Sequence, residues 1–309
     1  TLDGGKTWKN TSQNIKGMPS EAWIPQIRAS KFNKGEAYVV VNNYRQFDFT
    51  PYLFRTRDFG KTWENILEGT NETFGYTLSV IQDLEQPNLL FLGTEYGLYI
   101  SIDEGKNWTK WTHNFPNVST TDLAIQPREH DLIIGTFGRA AYVLDDIRPF
   151  RALAKEGAQL LNKTLHLFQP PAAFITQNQQ PSGTRFGANA IFNGENRAKG
   201  AMITYSINNP EIKKPKIHSN STSKKNKKLI KQAKTVASKE EKPPIKYDSI
   251  IFEVFNDRNE LIRTIKQKAP KENGVHRMYW YMNEKGKQRP SRRKPRKNNA
   301  EPRGVTVLP

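Results

Sequence analysis

Three copies of one short motif constrain this chain more than any other feature: TLDGGKTW at Thr1–Trp8, TRDFGKTW at Thr56–Trp63 and SIDEGKNW at Ser101–Trp108. The shared pattern is Ser/Thr-x-Asp-x-Gly-x-Thr/Asn-Trp, and the copies start 55 and 45 residues apart. That spacing is expected of four-stranded blades stacked around a propeller. Each residue type suits a tight turn between two strands. The carboxylates of Asp3, Asp58 and Asp103 can accept backbone N–H groups of their own turn, and Gly5, Gly60 and Gly105 can take positive φ. The Thr or Asn bonds locally, while Trp8, Trp63 and Trp108 offer large apolar faces for packing between blades. The turn uses every atom the motif offers, so these aspartates read as structural rather than catalytic.

Alternating strands separated by turn residues precede each later box. One blade is predicted from Trp23–Ser30, Glu36–Asn42 and Tyr52–Thr56, and the next from Tyr76–Gln82, Asn88–Thr94 and Gly97–Ser101. A third pass runs through Thr121–Gln126, Asp131–Gly135 and Ala140–Leu144, where LDDIRPF replaces a fourth box. Repeat units need stacked neighbours, and the chain starts inside a box without an initiator Met or signal peptide. It therefore reads as a fragment, with further blades expected upstream.

Beyond Pro149 the pattern changes. FRALAKEGAQLL predicts a short helix, and TLHLFQPP a strand that could close the ring. Further strands are predicted at Ala201–Ile207, Ser249–Asn256, Leu261–Lys266 and Val275–Met282, with a hairpin turning at Asp257–Asn259. The fold class is thus all-β: a partial Asp-box β-propeller of about three blades, followed by a β-sandwich module. The predicted domains are 1–150 for the blades, 151–185 for a connecting helix and closing strand, and 186–309 for the sandwich. The last carries a basic insert at 210–246 and reads as truncated at its C-terminus.

Net charge is +18, which alone would suggest a nucleic-acid partner, but the charge is concentrated. Pro210–Lys246 holds twelve Lys against three Glu, and Lys285–Arg303 nine Lys or Arg against one Glu, so the rest of the chain carries only +1. Neither run is interleaved with aromatics, as a stacking platform for single strands would be. Contact with a polyanion through Lys224–Lys228 remains a candidate partnership. There is no cysteine, which excludes disulfides, thiolate metal sites and thiol catalysis. His113, His130, His166, His218 and His276 lack metal-ligand spacing, so no metal or cofactor is expected. No apolar run is long enough to span a membrane.

The three boxes, together with LAIQPREHDLIIGTFGRAAYVLDDIRPF (Leu123–Phe150) and FNGENRAKGAMITYSI (Phe192–Ile207), resemble the bacterial relatives of the sortilin/VPS10 Asp-box, or BNR, propeller proteins. The cysteine-rich module of eukaryotic sortilins is missing, so receptor sorting is not implied. The second half resembles the immunoglobulin-like modules related to flagellar hook-capping proteins, in which such a hairpin precedes an aromatic strand like HRMYWYM. The resemblance implies an exported protein, secreted, periplasmic or on the cell surface. It leaves activity open, because Asp-box propellers include sialidases, xyloglucanases, assembly factors and receptors.

Loops joining the second and third strands of successive blades collect on one rim, a usual place for ligands. The repeat register places Asn43, Tyr44 and Arg45, then Glu95 and Tyr96, then Phe137 and Arg139 there. Aromatic faces mixed with charge suit a protein, peptide or glycan ligand. The alternative is a glycosidase of the sialidase or xyloglucanase type, which needs two carboxylates flanking the scissile bond. Glu95 and Asp122 are the catalytic candidates; Asp145 and Asp146 read instead as a strand end and helix cap.

Overall fold

The computed structural model describes residues 1, 3–70, 72, 74–174, 197–209, 248–286 and 303–307. They divide into two compact units, Thr1–Leu160 and Leu161–Pro309.

The first unit is built from three successive antiparallel sheets. Blade 1 orders β1 (Trp23–Ala29), β2 (Ala37–Asn43), β3 (Asp48–Thr56) and β4 (Glu64–Asn65) side by side. Blade 2 repeats this with β5 (Thr77–Gln82), β6 (Leu90–Thr94), β7 (Gly97–Ser101) and β8 (Thr109–Lys110). Blade 3 has β9 (Thr120–Gln126), β10 (Asp131–Thr136) and β11 (Ala141–Leu144), followed by α1 (Arg148–Glu156). Each chain turn joins neighbouring strands, so every blade is a meander. The Asp boxes fall between the third and fourth strands. The outermost strands are only two residues long, too short for any alternation to announce them.

Alternate residues of the middle strands face opposite neighbours, and this joins the blades. Tyr38, Val40 and Leu53 of blade 1 meet Val80, Leu90, Leu92, Tyr99 and Trp108 in one buried cluster. On the other side of blade 2, Phe91, Leu98 and Ile100 pack with Leu123, Leu132 and Ile134 of blade 3 and Ala154 of α1. The opposite face of blade 1 is covered by the segment before β1, which brings Ile15 against Val39, Val41 and Phe54. These three consecutive, face-packed antiparallel meanders are blades of a β-propeller.

Polar ties reinforce the stacking. Asn42 Nδ2 donates to the Thr77 carbonyl at 3.1 Å. Thr77 Oγ1 lies 2.8 Å from the Val41 carbonyl and 2.6 Å from that of Tyr52, and its single proton serves one at a time. Gly93 on β6 permits close approach of blade 3, since a Cβ there would stand 2.5 Å from the Thr120 carbonyl oxygen.

At the far end, α1 is clamped to blade 2. Arg151 forks onto Asp83, with Nε and Nη2 at 2.8 and 2.9 Å from its two oxygens. Both residues are buried, and the geometry is the bidentate one that suits a guanidinium to a carboxylate. The remaining nitrogen, Nη1, meets Glu85 at 2.9 Å and His130 Nδ1 at 2.7 Å. The N-cap of α1 is Ile147, which makes no side-chain cap. Asp146, expected as the cap, is a buried residue whose carboxylate takes the backbone N–H and the guanidinium of Arg148.

In the second unit, β12 (Leu165–Leu167), β13 (Ala201–Ile207) and β16 (Gly274–Trp280) form a three-stranded antiparallel sheet. β14 (Ser249–Phe255) and β15 (Leu261–Lys268) form the hairpin, and β17 (Asn283–Lys285) pairs with β18 (Arg303–Thr306). Ile203, Tyr205, Ile207 and Met278 of the sheet share a core with Ile250 of the hairpin. β12, read from sequence as a ring-closing strand, pairs instead with β13, Leu165 opposite Ile207. Alternation identifies a strand but not its partner.

Candidate functional site

The boxes repeat one hydrogen-bond scheme three times. The hydroxyls of Thr1, Thr56 and Ser101 donate to Oδ1 of Asp3, Asp58 and Asp103 at 2.7, 2.9 and 2.9 Å. The same hydroxyls accept the amides of Gly5, Gly60 and Gly105 at 2.8, 2.9 and 2.8 Å. Each Oδ1 also takes the backbone N–H of Thr7, Thr62 or Asn107, and each Oδ2 takes that residue's side chain. Donation to the charged form lowers a carboxyl's pKa. The side chain and backbone of Thr62 bring Asp58 down to about 2. In Asp103 burial pushes upward, but bonds from Asn107 and Ser101 outweigh it, and the net shift is down.

The tryptophans follow one rule and break another. All three indoles donate to the carbonyl of the box glycine, at 3.0, 3.2 and 3.0 Å, a use of the ring nitrogen that the sequence reading missed. Inter-blade packing differs among them. Trp108 is buried between blades 1 and 2, and Trp63 packs beside Val39 and Phe54 on the other face of blade 1. Trp8 is 81% exposed, so it does not pack as its motif implies.

The opposite end of the blades carries the rim. Tyr44, in the β2–β3 loop, stacks on Tyr76 with ring centroids 4.5 Å apart and 24° between planes. Arg45 lies over two rings, 5.1 Å from the centroid of Trp23 and 5.2 Å from that of Tyr44. Asn43 donates to Asp48, which also accepts the Tyr52 hydroxyl at 2.9 Å. In the β6–β7 loop, Glu95 donates its backbone N–H to the Tyr76 carbonyl at 3.0 Å, and its carbonyl accepts the Ser119 hydroxyl at 3.3 Å. The Ser119 carbonyl in turn accepts the N–H of Phe137 in the β10–β11 loop at 2.9 Å. A continuous row therefore runs from Trp23 through Tyr44, Tyr76 and Glu95 to Ser119 and Phe137.

The sequence register brought Tyr44, Glu95 and Phe137 together in advance, but it overlooked Trp23, Tyr76 and Ser119. All three sit where a blade's innermost strand begins, beside a β2–β3-type loop. That equivalence is readable in the repeat. Burial and then the charge of Glu95 raise the Tyr76 phenol, keeping its proton in place. Tyr96 is half-exposed and Phe137 is 79% exposed. Arg139 is exposed on its turn.

The two catalytic candidates sit in different surroundings. Asp122, on β9, faces Arg28 of β1 at 3.6 Å, both well exposed. Glu95 enters no ion pair among the described residues, and its Oε2 is shielded from solvent without a hydrogen-bond partner. No cluster of three or more His, Asp or Glu able to hold a metal occurs among the described residues. No described helix is long and apolar enough to cross a membrane. The stretch 210–246, with Lys224–Lys228, lies outside the described residues, as does most of Lys285–Arg303.

No protein-family model and no curated protein matches the chain. Solved structures give partial likenesses. The GH74 xyloglucanase from Xanthomonas campestris is similar at 14% identity and a TM-score of 0.30, over 48% of this chain and 25% of that one. A GH74 enzyme from Niastella koreensis is similar at 15% identity and a TM-score of 0.32, over 40% of this chain and 21% of that one. YCF48 from Cyanidioschyzon merolae is similar at 21% identity and a TM-score of 0.28, over 41% of this chain and 35% of that one. The chain thus spans well under two thirds of each of these proteins. Likenesses at this level say nothing of activity; the blade assignment rests on strand order and inter-blade packing.

Proposed function

We propose that the propeller is a non-catalytic binding module of an exported protein of the sortilin/VPS10-like Asp-box kind, and that its rim takes a protein, peptide or glycan. The observation that carries this reading is a rim on which Arg45 over Trp23 and the Tyr44–Tyr76 stack are tied by hydrogen bonds through Glu95 and Ser119 to the exposed Phe137, across three blades. Rigid aromatic faces on a scaffold held by buried blades bury large contact area at little entropic cost. The box carboxylates are engaged by their own turns, and Asp122 lies beside Arg28. On this proposal the second unit is an Ig-like spacer.

The test is a paired glycan and peptide array probed with the whole chain. At least one class should bind, and Tyr44→Ala combined with Tyr96→Ala should weaken that binding roughly tenfold or more, as loss of central aromatic anchors does. Silence on both arrays, or binding untouched by the double variant, would overturn the reading. Release of reducing sugar or sialic acid from the glycans would establish the hydrolase instead.

A further inference from the structure

Among the described acids, Glu95 alone has a shielded carboxylate oxygen with no hydrogen-bond partner. Glu36 has Arg57, Asp83 has Arg151, and Asp146 has Arg148. Glu95 has no cation among the described residues, yet its Oε2 is out of contact with water and accepts no hydrogen bond. Leaving a carboxylate oxygen in that condition is costly.

The fold holds it there. The backbone of Glu95 is pinned on both sides, to Tyr76 and to Ser119. Its side chain lies across Gly75, where φ is +67° and a Cβ would come within 2.7 Å of Oε2 and 2.9 Å of the Glu95 Cβ. Only glycine leaves that cradle open. The Tyr96 ring borders the same cradle, with its Cε2 3.2 Å from that Cβ position. Tyr76, backed by Tyr44, adds further ring surface whose phenol responds to the Glu95 charge.

Negative charge beside ring faces attracts cations twice over, through the carboxylate and through the ring quadrupoles. The adjoining part of the rim already shows the preference, since the Arg45 guanidinium lies within cation–π range of both Trp23 and Tyr44. A neutral hydroxyl would satisfy one lone pair of Glu95 but leave its charge uncompensated.

We propose that the rim recognises a basic peptide side chain, a lysine ammonium or arginine guanidinium, with Glu95 as its counter-charge between Tyr76 and Tyr96. This rests on the rim being a binding site. Tyr96, 41% exposed, offers its ring at the edge of the cradle.

The test titrates the whole chain with acetylated, amidated Gly-Lys-Gly and Gly-Arg-Gly, with the norleucine tripeptide as the uncharged control, followed by the backbone amide shifts of Glu95, Tyr96 and Ser119. A neutral oligosaccharide panel is run beside it. The expected result is saturable binding of a basic tripeptide at least tenfold tighter than norleucine, weakened by salt. Glu95→Gln, isosteric and uncharged, should abolish the preference with an unchanged circular dichroism spectrum. Equal binding of norleucine, or a preference that survives Glu95→Gln, overturns the assignment. If neutral oligosaccharides bind and Glu95→Gln has no effect, the rim reading stands and the cation assignment falls. Absence of binding by any probe overturns both.

Discussion

Asp58 receives four hydrogen bonds, from the Thr56 and Thr62 hydroxyls and the amides of Lys61 and Thr62. Its pKa therefore falls from 3.8 to about 2 in the folded chain. A depressed carboxyl stabilises the fold fully above its unfolded value, and the contribution is lost as pH drops through the folded value. Asp58 should accordingly titrate near pH 2 in an NMR carboxyl titration, and its share of stability should fade between about pH 4 and pH 2. Trp108 and Trp8 offer a contrast within one motif. Trp108→Ala removes a ring buried between blades and should cost about 3–5 kcal/mol in denaturant unfolding, whereas Trp8→Ala should stay within about 0.5 kcal/mol. The box chemistry was legible in the sequence because donor and acceptor are never more than four residues apart. The burial of each tryptophan was not, because it depends on which blade lies beside it.

The middle strands of each blade could be traced from alternation and turn residues, and their observed limits differ from the traced ones by a few residues at most. The two-residue outer strands could not, and neither could the ties between elements. Arg151 and Asp83 are 68 residues apart, and nothing local marks them as partners. Arg151→Met leaves Asp83 charged and buried without a counter-ion and should destabilise the first unit by about 3–5 kcal/mol. Adding Asp83→Leu should recover much of that loss, since a buried pair is seldom better than a packed apolar one. Two unfolding curves decide it. Gly93 makes the same point for sterics, because its missing Cβ is needed by the Thr120 backbone of the next blade. Gly93→Ala should cost about 1–3 kcal/mol in the same assay.

For the whole molecule, the net charge of +18 is a poor guide to the propeller, because almost all of it belongs to 210–246 and 285–303. If Lys224–Lys228 contact a polyanion, salt-sensitive retention on heparin should weaken when 210–246 is deleted. Retention unchanged by the deletion would dismiss a polyanion role for Lys224–Lys228. The sequence by itself determined the repeat, the all-β class and the loop register that brings Tyr44, Glu95 and Phe137 to one rim, since these follow from spacing and from bonds made within a few residues. Only the tertiary structure decided that Tyr76 and Gly75 complete the Glu95 cradle, that Asp122 faces Arg28, and that β12 pairs with β13. Such contacts join residues far apart in the chain, and their energies depend on burial and neighbours that no local pattern records.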